Sequence, residues 1–169
     1  YHKKILADAM FTKMSGVALG VLTADCVPII IYETRNKIIG CIHAGWKGAS
    51  SGIINNTITK IKKINSNSKI FASVGPCIGR KSYEVDMNFY KKFISKSLNN
   101  KIYFTKKNKL KMFFNLRKFV TDKLLKLGVI VDQVNRDTFA EKTNFFSYRR
   151  SCKLKQKDYG RCISTICLS

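Results

Sequence analysis

No uninterrupted apolar run in this sequence is longer than the six residues Val27 to Tyr32, and that length decides most of what the chain can become. A buried strand needs about 4–8 apolar residues, whereas a membrane-spanning helix needs about 20. A transmembrane protein is therefore excluded. The run is rich in isoleucine, it follows a second strand-like segment at Val17 to Thr23, and Thr34-Arg35-Asn36 then turns the chain into Lys37 to His43. These segments predict a hairpin at the centre of a sheet. Ile70 to Val74, Val129 to Val134 and Cys162 to Leu168 read as further strands. Helical spacing is confined to three places. The first is Ile53, Ile54, Ile58 and Ile61, behind a Ser50 or Ser51 cap. The second is Phe89, Phe93 and Ile94 after Asp86. The third is Leu116, Phe119, Val120, Leu124 and Leu127, with Gly128 as the stop. Strands outnumber helices, and a hairpin breaks any plain βαβ repeat. The expected class is α/β, in the form of a mixed α+β sandwich.

At 169 residues and 45% hydrophobic content, the chain is expected to fold as one domain around its own core. There is no internal repeat, low-complexity segment or linker to mark a second. Charge is the unusual quantity: 32 Lys+Arg face 10 Asp+Glu, a formal net charge of +22. The excess is mostly lysine, spread along the chain, and it accompanies abundant Ile and Asn. That pattern reads as a solvated lysine coat favoured by codon bias, with a nucleic-acid-binding module as the competing reading. The first ten residues are interrupted by Asp8 before an apolar segment forms and do not read as a secretory signal. The six cysteines form no CxxC pair, which removes zinc ribbons and thioredoxin-type motifs. They are read as reduced thiols of a cytoplasmic protein.

The hairpin also places chemistry. With its turn centred between Thr34 and Arg35, Cys26 falls directly across from His43, with Cβ atoms about 5 Å apart. A thiolate and an imidazole so placed can share a metal ion or act as nucleophile and base, or be a structural cysteine beside a satisfied histidine. Ala44-Gly45-Trp46-Lys47-Gly48 follows, a glycine-bearing loop ahead of the expected helix, where backbone N–H groups can approach an anion. No P-loop and no GxGxxG are present. Gly75-Pro76-Cys77-Ile78-Gly79 ends a strand in a tight turn ahead of Tyr83. Phe145 to Arg150 sets the guanidinium groups of Arg149 and Arg150 beside aromatics, including Tyr148.

Four segments together resemble a known family: Thr23-Ala24-Asp25-Cys26-Val27-Pro28; His43 to Gly48; Gly75 to Gly79 with Tyr83-Glu84-Val85; and Phe146 to Arg150 with Gly160-Arg161. In that order they are similar to the YfiH/YlmD family, whose members also carry the description of polyphenol-oxidase or "multicopper" laccase domains. The resemblance implies a YfiH-like fold related in site geometry to CNF-type Cys-His hydrolases. It implies a metal-dependent purine nucleoside enzyme that phosphorolyses adenosine, inosine, guanosine and methylthioadenosine and deaminates adenosine, with purine nucleosides and phosphate as its partners. Cys26 and His43 would be two of three zinc ligands. The third is placed by the resemblance in a Gln-Val-His segment upstream of residue 1, so the domain is expected to be N-terminally incomplete. His2 is not assigned that role.

Lys47 stands where the family commonly has Arg. It keeps the charge and loses the planar fork. Lys47, Arg149, Arg150 and the helix start after Gly48 are the expected phosphate groups, and Tyr83 and Tyr148 the expected base or ribose contacts. Copper is implied only by the older family description: several copper ions need many histidines, and this chain has two. A metal-free Cys-His hydrolase or deamidase, with Cys26 as nucleophile and His43 as base, is the competing enzyme. The nucleic-acid-binding module comes third.

Overall fold

A computed structural model describes residues 7–169. The isoleucine-rich segments form the expected hairpin, Val27–Glu33 (β3) against Ile38–Ala44 (β4). On one side Ala9–Thr12 (β1) pairs with β4. On the other, Ile70–Val74 (β5) pairs with β3, and Ile130–Gln133 (β9) runs parallel to β5. The result is a five-stranded sheet of order β1-β4-β3-β5-β9, antiparallel except for its last pair. Ala18–Thr23 (β2) leaves this sheet and pairs instead with Cys162–Cys167 (β10), forming a two-stranded ribbon that packs across β3 and β4.

The opposite face carries the helices. Ile53–Ile64 (α2) buries Ile54, Thr57, Ile58 and Ile61, and Leu116–Lys126 (α4) buries Leu116, Phe119, Val120, Thr121 and Leu124. The apolar residues of both sets meet Ile29, Ile31, Ile38 and Ile42 of the sheet in one core. A fully buried isoleucine contributes about 1.5–3 kcal/mol relative to exposure, so this layer is a principal source of stability. Ribbon, sheet and helices give the mixed α+β sandwich that the strand count predicts.

A third small sheet was not expected from the sequence. Glu84–Asp86 (β6), Phe104–Lys106 (β7) and Lys111–Phe114 (β8) pair in the order β6-β8-β7. Met87–Ile94 (α3) starts on the Asp86 carboxylate, which accepts from the Phe89 N–H at 2.7 Å, and a short 3-10 helix covers Leu98–Tyr103. Phe114, fully buried, gathers Phe93 at 4.9 Å, Phe104 at 4.8 Å and Tyr83 at 5.6 Å between ring centroids. Strands of three or four residues carry too little alternation to be read in advance, and aromatic packing forms them.

Local expectations need three corrections. The hairpin turn covers Thr34 to Lys37, with Lys37 in a left-handed conformation (φ 51°), because the buried Glu33 carboxylate accepts from the Arg35 and Asn36 N–H groups at 2.8 and 2.9 Å. The turn is thus centred one residue later than predicted, and Pro28, not Cys26, lies across from His43. Ser50 and Ser51 do not cap α2. They lie in a preceding short helix, Trp46–Ser51 (α1), which ends at Gly52, and Gly52 (φ 99°) starts α2. Finally, Tyr148–Lys153 forms a helix (α5), capped by Ser147, whose side chain accepts from Arg150 N–H at 3.1 Å.

Candidate active site

The chemistry-bearing segments meet at one end of the large sheet, where β3 begins and β4, β5 and β9 end. A cavity of about 260 Å³ opens there, lined by Ala24, Asp25 and Cys26 of the β2–β3 loop, Trp46 of α1, Ile78, Tyr83, Leu116 of α4, and Tyr148 and Arg149 of α5. Four of the residues expected at the site (Cys26, Tyr83, Tyr148 and Arg149) line it. A second cavity of about 310 Å³ adjoins it and shares Trp46, Tyr83 and Arg149.

Cys26 is half-buried. Burial, then the carboxylates of Asp25 and Asp8, push its thiol up to about 11, the reverse of an activated nucleophile. In the register continued past Ala44 it faces Gly45, and any Cβ at that position would lie 3.0 Å from its sulfur. The glycine of the His43-Ala44-Gly45 motif is thus explained by room for Cys26. Because the register slip moves the partner by two residues, Cys26 and His43 keep the same face of the hairpin but are diagonal, not opposite. His43 does not line the cavity. Its Nδ1 lies 3.4 Å from Asp8 Oδ1, and its N–H donates to the Asp8 carbonyl at 2.7 Å.

Tyr83 has its hydroxyl pushed well above the ordinary range by burial, against the opposing pull of Arg149. The Arg149 guanidinium stands 5.2 Å over the Tyr83 ring and donates to the Glu84 carbonyl at 2.7 Å. Among the described residues it is the only cation on the cavity wall. Arg150, its neighbour in sequence, points elsewhere: it donates to the carbonyls of Thr138 (2.8 Å), Phe139 (2.9 Å) and Phe145. Three of its five N–H donors thus hold the 138–145 loop, and Arg150 does not line the cavity. Lys47 is exposed, with Nζ 5.6 Å from the Trp46 ring centroid, and does not line the cavity. The helix expected after Gly48 starts earlier, at Trp46, so Gly48 lies inside it.

Sequence reasoning gave no role to Asp25 or Trp46. Asp25 is 8% exposed and adopts φ 83°, a conformation few non-glycine residues take. Its Oδ1 accepts from the Thr138 hydroxyl at 2.7 Å, and its Oδ2 from the Ser147 hydroxyl at 2.9 Å and the Arg149 N–H at 2.7 Å. An acid placed directly before a candidate cysteine, inside an apolar stretch, was the available signal.

A catalytic zinc takes three protein donors. Among the described residues no group of three or more His, Cys, Asp or Glu side chains is arranged to hold a metal ion. Cys26 and His43 alone do not make a zinc centre, and the several copper ions of the older description would need more histidines than this chain has. His2 lies outside the described residues. No helix among the described residues is long and apolar enough to cross a membrane.

Known proteins share this architecture. Relatives include a purine nucleoside phosphorylase of Rickettsia conorii, 39% identical over 162 residues, covering 95% of this chain and 67% of the relative. Another is the purine nucleoside phosphorylase YfiH of Escherichia coli, 29% identical over 165 residues, covering 96% and 64%. Among solved structures, a Neisseria meningitidis protein superposes with a TM-score of 0.83 at 29% identity, covering 96% of this chain and 65% of its own. YlmD from Geobacillus stearothermophilus gives 0.84 at 26%, covering 95% and 60%. This chain thus spans about two thirds of the length of these proteins. The family model described as multi-copper polyphenol oxidoreductase laccase matches residues 2–169, and with relatives and fold in agreement, the chain belongs to that family, the family of YfiH and YlmD.

Proposed function

We propose that this chain forms the nucleoside-binding part of a purine nucleoside phosphorylase acting on adenosine, inosine, guanosine and methylthioadenosine. The observation that carries the reading is the convergence of Cys26, Tyr83, Tyr148 and Arg149, from three separate segments, on one small cavity, in a chain whose relatives are named for that reaction. Ligand cavities commonly measure about 300–1,000 Å³, so this one suits a compact ligand. Trp46, Tyr83 and Tyr148 offer aromatic faces to a purine. Arg149 offers the positive charge that a phosphate needs.

In the reaction, a phosphate oxygen bonds to the anomeric carbon as the bond from that carbon to the base nitrogen breaks. The electron pair leaves with the base, which takes up a proton, and the second product is ribose 1-phosphate, or 5-methylthioribose 1-phosphate from methylthioadenosine. Arg149 stabilises the phosphate's charge. The Tyr83 hydroxyl, kept protonated by burial, is a hydrogen-bond donor at the same wall. No step is assigned to a metal: Cys26 and His43 are the two ligands proposed among the described residues, and a zinc centre would need a third. Adenosine deamination is the finer part of the activity, and it needs an activated water that the described residues do not supply.

The test is turnover of adenosine and inosine, with and without phosphate, by the complete protein and by this chain, with products separated by chromatography and metal measured by elemental analysis. Adenine or hypoxanthine formed only with phosphate is the expected result, whereas inosine formed from adenosine without phosphate would reveal deamination. Arg149→Ala is expected to lower kcat/KM for phosphorolysis about 100-fold. Full activity in that variant would overturn the assignment.

A further inference from the structure

The geometry points to Asp25 as a positioning residue: its carboxylate clamps the Cys26 loop to the start of α5 and so fixes Arg149 and Tyr148 against the cavity. This inference rests on the phosphorylase reading for its functional meaning. Three donors reach one buried carboxylate: the hydroxyls of Thr138 and Ser147 and the backbone N–H of Arg149. They lie 113, 122 and 124 residues along the chain from Asp25. The Asp25 carbonyl is used as well, accepting from the Ile78 N–H at 3.0 Å. Three other segments that wall the cavity or support it are therefore tied to this one residue. The left-handed backbone at Asp25 turns the chain directly before Cys26. A non-glycine residue persists in that conformation only where its surroundings hold it. Both Asp25 oxygens accept from protein donors, and through those bonds it acts on Arg149 and Cys26.

The informative substitution is Asp25→Asn, measured in the complete protein. Asparagine matches the size and tolerates a left-handed backbone, but it replaces one acceptor oxygen with an amide nitrogen. One orientation then remains, with the oxygen facing Ser147 and the Arg149 N–H and the Thr138 hydroxyl turned from donor to acceptor, and an amide oxygen is a weaker acceptor than a carboxylate. The comparison is Glu33→Gln, which alters another buried, hydrogen-bonded carboxylate at the far end of β3. Asp25→Asn is expected to reduce kcat/KM for the nucleoside roughly 10- to 100-fold and to speed hydrogen exchange at the Arg149 amide. Glu33→Gln is expected to lower stability and leave both readings near wild type. Thr138→Val, a milder change that removes one of the three bonds, is expected to fall between the two on both readings. Wild-type kinetics and unchanged Arg149 exchange in Asp25→Asn would overturn the clamp. So would equal losses of kcat/KM in Asp25→Asn and Glu33→Gln in proportion to stability. If the wild-type protein turns over no nucleoside, the phosphorylase reading fails. The clamp is then judged by exchange alone: faster exchange at Arg149 in Asp25→Asn but not in Glu33→Gln upholds it, and any other pattern overturns it.

Discussion

Arg149 and Arg150 are adjacent and chemically identical, yet the structure gives them opposite work. One guanidinium faces a cavity beside Tyr83, and the other is consumed by the carbonyls of Thr138, Phe139 and Phe145. Helical geometry separates consecutive side chains by about 100°, so adjacent arginines on α5 are free to meet different surroundings, as these two do. Cys26 shows the same dependence on surroundings. Its thiol is pushed up to about 11 by burial and by Asp25 and Asp8, so it is protonated at neutral pH. Iodoacetamide at pH about 7 is therefore expected to label the exposed Cys152 and Cys167 well before Cys26. The Cys26 rate should rise steeply only as the pH approaches about 11. Peptide mapping by mass spectrometry reads this directly, and fastest labelling at Cys26 at neutral pH would instead favour the Cys-His hydrolase.

At the scale of elements, the β3–β4 hairpin shows how a single buried side chain sets register. Glu33 is fully buried at the end of β3. Burial alone would raise its pKa, and the N–H groups of Arg35 and Asn36 overcome that and hold it below the usual carboxylate range. The native state therefore favours the ionised form. The stability so gained is complete above the unfolded-chain value of about 4.3 and is lost as the pH falls through the lower folded value. Glu33→Gln is expected to cost about 1–3 kcal/mol near neutral pH. In urea unfolding, the gap between wild type and variant should narrow from pH about 6 to pH about 3. A gap that widens in acid would reverse the sign of this account. The strands were legible because β-branched residues run in short apolar stretches. The turn length was not, because it depends on where one carboxylate points.

Over the whole molecule, charge is the dominant fact. With 32 cationic and 10 acidic side chains, most lysines have no acid to pair with. Among the described residues the pairs that form, such as Glu84 with Lys107 and Lys111, are few. That pair also holds the Glu84 carboxyl down at about 2. Self-repulsion on this scale opposes compaction and is screened by salt. The unfolding midpoint is therefore expected to rise between about 20 mM and about 500 mM NaCl, measured by circular dichroism at constant pH. A fall over that range would mean that attractive pairs, not repulsion, dominate the surface. Retention on a polyanion that disappears with salt would support the nucleic-acid reading, which rests on charge alone.

The sequence by itself determined the hairpin, the three longer helices, the sandwich class and the motifs that join the chain to its family. Each of these is written in local periodicity, in a capping residue or in a contiguous run of side chains. Only the tertiary structure decided which motif residues share a cavity. Cys26 and Arg149 are separated by more than a hundred residues, and their meeting depends on the sheet order and on the Asp25 carboxylate between their segments. It also decided that Cys26 and His43 stand diagonal to each other, because a turn centred one residue later shifts the pairing by two positions and keeps the face. Whether a side chain is free to act depends on partners brought from elsewhere in the chain, and local sequence does not specify them.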